Sequence, residues 1–284
     1  MPDFTHADLT GSRFEDVDLT GSRFDDVDLR GSRFRLVDLS GVVIRGAAVV
    51  DVEITGEVSD LRVNGVDVAP LVEAELDRRF PERAKMRPTD ADGYREAWDI
   101  LEGLWPHTVE RACRLDPELL HERVDEEWSF IETLRHLLFA TDAWVSRAFL
   151  GQPAPWHPLD LPHDEMPDLP GVPRDRTVRP SLEEVLHLRA DRMGTVRRVL
   201  ADLTDVRLDG TTEPVPEPGY PESESFAVRR CLGAVLREEW HHRVYAERDL
   251  RVLEARTPAP PPGEGVVPGD VREGPDHRRR HDEP

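Results

Sequence analysis

Hydrophobic residues along this chain follow two different periods. Phe4, Leu9, Phe14, Leu19, Phe24, Leu29, Phe34, Leu39, Ile44, Val49 and Ile54 recur at intervals of five. Two positions before each of them after Phe4 stands a small or β-branched residue, from Ala7, Ser12 and Val17 through to Ala47 and Val52. Five matches neither the helical turn of 3.6 residues nor the strand alternation of two. The spacing therefore predicts an internal repeat. After Ile54 the phase is lost. Val58, Leu61, Val63, Val66 and Val68 read as a short-strand connection with a turn at Asn64-Gly65, and Pro70 opens a short helix, Leu71 to about Arg79, that Pro81 stops. Residues 80–90 read as linker.

From residue 91 the period becomes helical. Tyr94, Trp98, Leu101, Trp105, Thr108, Ala112 and Leu115 form one stripe behind Asp90 or Asp92 as N-cap, with Pro106 expected to kink or interrupt it. A second helix, about Ser129 to Leu150, is apolar nearly all round at Leu137-Leu138-Phe139-Ala140, which predicts a buried position. The third carries Leu182, Leu186, Met193, Val196, Leu200 and Leu203 behind Ser181, whose capping box closes on Glu184. The fourth runs from about Ser225 to Glu254. Between the second and third lie about thirty residues, 151–180, with eight prolines; helix connections are ordinarily roughly 2–8 residues, so this is a crossover or a functional loop. After Arg256 the sequence is Pro/Gly-rich and charged with no apolar period, which predicts disorder for 257–284.

Composition narrows the function. A net charge of −21 argues against nucleic-acid backbone and anionic membrane as partners. No run approaches twenty apolar residues and no signal-peptide pattern is present, so a cytoplasmic location is expected. Cys113 and Cys231 offer neither a disulfide framework nor a CxxC motif.

The residues with chemistry cluster on two of the helical faces. In the fourth helix the line Leu232, Val235, Glu238, His242, Ala246 sets a carboxylate and an imidazole where a core would want leucine. In the second helix His136 shares its face with Glu132, Thr133, Ala140 and Ala143, and the two alanines leave space beside it. Two imidazoles and one carboxylate from facing helices suit a divalent metal with an open coordination position. The competing reading is a satisfied core histidine, with Glu238 paired to Arg237 or Arg189. Arg189 stands in the stripe of the third helix, where it serves either to bind a substrate or cofactor carboxylate or to neutralise a buried acid. Trp128, Tyr245 and Asp249 are candidates for the pocket border, or else core or cap residues, and His241, about 100° round the helix from His242, is a reserve ligand or a surface group. The crossover offers Trp156-His157 and His163-Asp164-Glu165, as a solvated loop or as a lid.

Two resemblances follow from these motifs. Ala7-Asp8-Leu9, echoed by Val17-Asp18-Leu19, Val27-Asp28-Leu29 and Val37-Asp38-Leu39, resembles the pentapeptide-repeat family. That resemblance implies a right-handed four-sided β-helix over residues 1–56, with the central and i−2 side chains pointing inward and residues twenty apart stacked, joined through 57–90 to the rest. Residues 91–256 resemble the DinB/YfiT-like superfamily of four-helix metalloproteins, on Glu132-Thr133-Leu134-Arg135-His136-Leu137 and Glu238-Glu239-Trp240-His241-His242. The expected architecture is thus a mixed one, an all-α four-helix bundle preceded by a short β-helix. The resemblance implies His136, Glu238 and His242 as ligands to zinc, or to nickel or iron, with the glutamate-containing set similar to mycothiol-dependent maleylpyruvate isomerases. It implies a low-molecular-weight thiol such as mycothiol and a small electrophile as reactants, in S-transfer or thiol-dependent isomerisation. Metal-dependent hydrolysis of small amides or esters is the alternative, then a non-enzymatic metal-stabilised binding or stress module. A homodimer is compatible with either.

Overall fold

The structure, a computed structural model, describes residues 4–56 and 58–256; the tail expected to be disordered lies outside them. The chain divides into two compact units at 57/58, so the connector clusters with the helical part.

In the first unit the five-residue period is written into the backbone. His6, Gly11, Asp16, Gly21, Asp26, Gly31, Leu36, Gly41, Gly46, Asp51 and Gly56 all have positive φ, from 52° at Asp16 and Leu36 to 139° at Gly56. Glycine takes this conformation freely and aspartate tolerates it; Leu36 is the misfit. Every ten residues a turn is closed twice. The amides of Ser12, Ser22, Ser32 and Val42 donate to the carbonyls of Leu9, Leu19, Leu29 and Leu39. The carboxylates of Asp8, Asp18, Asp28 and Asp38 accept from the amides two residues on. The inward row expected from the repeat is not buried: Phe4, Phe14, Phe24 and Phe34 are 58–63% exposed, and no residue from 4 to 56 is buried or lies in a strand. So short a stretch stacks too few units to enclose a core.

The second unit opens with a hairpin, β1 (Arg62–Val63) against β2 (Val66–Asp67), turning at Asn64 and Gly65 with positive φ at both. Helix α1 (Ala69–Arg79) has Pro70 in its first turn. Pro81 does more than end it: it begins α2 (Pro81–Lys85), so the expected linker contains a helix. At a first helical position proline has no intrahelical N–H to lose. Helix α3 (Ala91–Ala112) is capped by Asp90, whose carboxylate accepts from the Gly93 amide at 2.8 Å. Pro106 does not interrupt it. Its ring is exposed, while Trp98, Leu101, Trp105, Thr108 and Ala112 on the other side are buried, and that burial outweighs one missing hydrogen bond.

Helix α4 (Phe130–Thr141) starts at a capping box of Ser129 with Glu132, then widens into a π-helical stretch, Asp142–Phe149. Helix α5 (Leu182–Ala201) starts at the expected box of Ser181 with Glu184. A short α6 (Asp205–Leu208) precedes α7 (Val228–Arg256), which packs on α3, α4 and the π-helical stretch, while α4 also packs on α5. No helix among the described residues is long and apolar enough to cross a membrane.

The crossover, 151–180, has no regular structure and is solvated along much of its length, yet it is buried at its middle. Asp160, Leu161 and Met166 are buried. Buried backbone needs partners, and α4 supplies them: the fully buried guanidinium of Arg135 donates to the carbonyls of Leu159, Asp175 and Val178. Ala143, expected to leave open space, packs with Phe139 and Met166.

Of the two adjacent acids of α7, Glu239 lies in the core and Glu238 does not. Glu239 is 1% exposed and accepts both nitrogens of Arg189 at 2.6 and 2.8 Å; the Arg189 guanidinium also lies over the Trp105 ring at 5.1 Å. The Glu238–His242 line runs instead along the edge of the buried face. Helix α7 is covered on an arc wide enough that residues 100° apart, 238 and 239, both meet other elements. Arg189, a candidate for holding a substrate or cofactor carboxylate, is thereby occupied. Replacing it by alanine leaves a buried, unpaired carboxylate and should destabilise the fold by about 3–5 kcal/mol in urea unfolding. The Arg189→Met, Glu239→Leu double variant should recover most of that loss; a single variant as stable as the parent contradicts the buried pair.

Candidate metal centre

The fourfold spacing of α7 stacks Glu238 and His242 on one face, and α4 brings His136 opposite them. His136 Nε2 lies 3.3 Å and His242 Nε2 3.1 Å from the same oxygen, Glu238 Oε2. The donor atoms of all three lie within 4.8 Å of one another, the only such group of three among the described residues. The His136 and His242 side chains are 7% and 18% exposed and that of Glu238 36%, so the group sits at the rim of the core.

His136 is held at both ends. Its Nδ1 is 2.9 Å from the Leu161 carbonyl, which can only accept, so Nδ1 carries a proton and Nε2 faces the other two side chains. Arg135, one residue earlier, ties the same loop at Leu159. Burial pushes the Glu238 carboxyl up, but hydrogen bonds to His136 and His242 outweigh it and hold the group well below the usual carboxylate range. Burial pushes His242 down, against the pull of Glu238, so the neutral imidazole is favoured.

Aromatic rings wall the group. Trp128 stacks on His242, with centroids 5.6 Å apart and planes at 9°, and tilts over His136 at 4.5 Å. Tyr245, 38% exposed, meets His242 edge-on at 6.1 Å. Trp128 also lines a small cleft with Thr133 and Asp249, the latter paired with Arg248 at 2.7 Å. His241 stands outside the converging group, exposed and stacked with Tyr245. In the crossover, Trp156 stacks on Phe139, which lies 6.1 Å from the His136 ring. His157 is used within the loop, its Nδ1 accepting the Leu159 amide. His163 contacts Tyr220 edge-on and pairs with Glu165, and Asp164 with Arg176. Nothing in the spacing singles out Phe139, one of a buried apolar run, or Tyr220 as a neighbour of the histidines. Tyr220 packs on Phe139, and its hydroxyl is raised by burial, then by Glu222 and Glu238, which sets it near the site. It stands in an aperiodic Pro-Gly-Tyr-Pro stretch with no spacing to betray it.

A divalent cation fits this set. Zinc–nitrogen and zinc–oxygen bonds of roughly 2.0–2.2 Å separate neighbouring tetrahedral donors by about 3.4 Å, close to the two separations to Glu238.

Neither the curated proteins nor the solved structures yield a match to this chain. Family models do: pentapeptide repeats, in 8 copies, match residues 3–41, and the DinB superfamily matches residues 100–246. The matched span holds all three converging side chains, α5, the crossover and most of α7, and on that evidence the chain belongs to the DinB superfamily.

Proposed function

We propose that His136, Glu238 and His242 hold a divalent cation, zinc by preference and nickel or iron as the other candidates for this donor set. We further propose that the chain transfers a low-molecular-weight thiol of the mycothiol type to a small electrophile, or uses it in a thiol-dependent isomerisation. The observation that carries the reading is the convergence of two imidazole nitrogens and one carboxylate within 4.8 Å at the rim of the core. Membership of a superfamily that is metal-binding and includes thiol-related enzymes supports it.

A bound cation would supply the charge that lowers the pKa of a sulfur held against it. The chain's own residues do the rest. The Leu161 carbonyl fixes the tautomer of His136, and the two imidazoles keep Glu238 ionised. Trp128 closes one side, so reactants come from the side where Glu238 and Tyr245 are open to solvent. Hydrolysis would call for a carboxylate base beside the cation. Glu238 is used as a ligand and Glu239 is locked on Arg189, which favours the thiol reading.

Purified protein should carry about one metal per chain, and His136→Ala or His242→Ala should lower zinc affinity at least 100-fold in chelator competition. Mycothiol should bind the metal-loaded protein with micromolar affinity in calorimetry and leave the His136→Ala protein silent. Metal loading without thiol binding would turn the reading to hydrolysis, and an unchanged cellular role for the His136→Ala chain would turn it to a non-enzymatic module. The pH dependence has a definite sign. Only neutral imidazole ligates, and His242 stays neutral below the ordinary value of about 6.5. Zinc content should therefore hold from pH 8 to about 6.5 and fall in more acid solution; a loss that begins above pH 7 contradicts the site.

A further inference from the structure

The crossover meets the α4 rod at a second place, which metal binding leaves unexplained. Asp160 is 0% exposed, and Asp142, at the start of the π-helical stretch, is 2% exposed. Asp142 is fully engaged: Oδ1 accepts from Ser146 Oγ at 3.0 Å, and Oδ2 from Arg192 at 3.2 and 2.9 Å. Asp160 is not. Its Oδ2 accepts the His157 amide at 3.1 Å, and its Oδ1 meets no N–H or O–H donor.

The two carboxyls are neighbours and act on each other, and the one guanidinium beside them, Arg192, bonds Asp142 alone. The other charged and titratable groups facing them do not alter that balance. Arg135 of α4 is committed to three loop carbonyls. Asp191 draws on Arg192 at 3.0 Å from the solvent side. His157 is kept neutral by burial, then by Arg192. Two buried carboxylates facing one cation are strongly unfavourable, and a proton on the Asp160 oxygen without a donor relieves both the charge and the missing hydrogen bond. Asp160 is also the residue between the two ties at the metal centre, the Leu159 carbonyl on Arg135 and the Leu161 carbonyl on His136.

We propose that Asp160 is a positioning residue for His136: a proton shared between Asp160 and Asp142 fastens the Leu159–Leu161 segment to the rod formed by α4 and the π-helical stretch and keeps the Leu161 carbonyl on His136. Burial, then Asp142, raises the Asp160 carboxyl to about 8, so the proton is present at neutral pH and leaves above that value. An unfolded aspartate titrates at about 3.9, so this group makes the fold less stable as pH rises from about 4 to 8. The consequence for metal rests on the function proposed above; the proton itself does not.

The test uses the full chain. Tryptic cleavage within 151–180 is measured at pH 7 and pH 9 and normalised to an unstructured peptide. The parent should be cut at least 10-fold faster at pH 9, whereas Asp160→Asn, whose amide donates at every pH, should change less than 2-fold. Asp142→Asn, which removes the other charge, should also flatten the dependence and guards against a poorly folded Asp160→Asn chain. Equal pH dependence in all three overturns the shared proton. Zinc affinity, read by chelator competition at the same two pH values, should fall at least 10-fold more in the parent than in Asp160→Asn. If cleavage separates the proteins and zinc affinity does not, the link to His136 is overturned. If no protein takes up zinc, the proposed metal function fails, while the cleavage result still decides the proton.

Discussion

His136 is bound at both of its ring nitrogens, and most of the helical unit is arranged to make that so. On one side its Nδ1 meets the Leu161 carbonyl, which requires the crossover to lie against α4. On the other its Nε2 meets Glu238, which requires α7 to present its edge to the same rod. A buried imidazole with either nitrogen unpaired would be costly. The position of a loop and the facing of two helices are therefore coupled through one ring. Trp128, stacked on His242 and tilted over His136, covers one side of the pairing.

The same requirement explains how a connection with eight prolines can be partly buried. Such a segment cannot pair its own backbone in a helix or sheet, so its carbonyls need donors from elsewhere. Arginine supplies several N–H groups in a fixed fork and cannot lose its charge. Arg135 serves the crossover in this way, and Arg147, 1% exposed, donates to the carbonyls of Pro153, Val215, Glu217 and Pro221. These two side chains look like surface charges in the sequence and are among the most buried in the structure.

The N-terminal unit is governed by a different constraint. Its regularity is conformational: one positive-φ residue in five, with Asx-type turns every ten, each satisfied within a few residues. Such local bonds set the path of the chain without enclosing a core, so the apolar row at Phe4, Phe14, Phe24 and Phe34 remains open.

What the sequence determined by itself was periodic or local. The five-residue repeat, the helical stripes around Trp98 and Val196, the caps at Asp90 and Ser181, and the i, i+4 stacking of Glu238 on His242 all follow from spacing along one segment. The family motifs around His136 and Glu238 were equally legible, because each lies within a few consecutive residues. Tertiary structure alone decided the rest. Of the two adjacent acids of α7 it put Glu239, not Glu238, in the core, since the width of a buried arc depends on how many neighbours surround a helix. It assigned Arg189 to that acid, Arg135 to loop carbonyls and Arg192 to Asp142, and laid Tyr220 on Phe139. Each of these pairs joins residues far apart in sequence through a hydrogen bond or charge, and no period along the chain encodes where a distant partner will arrive.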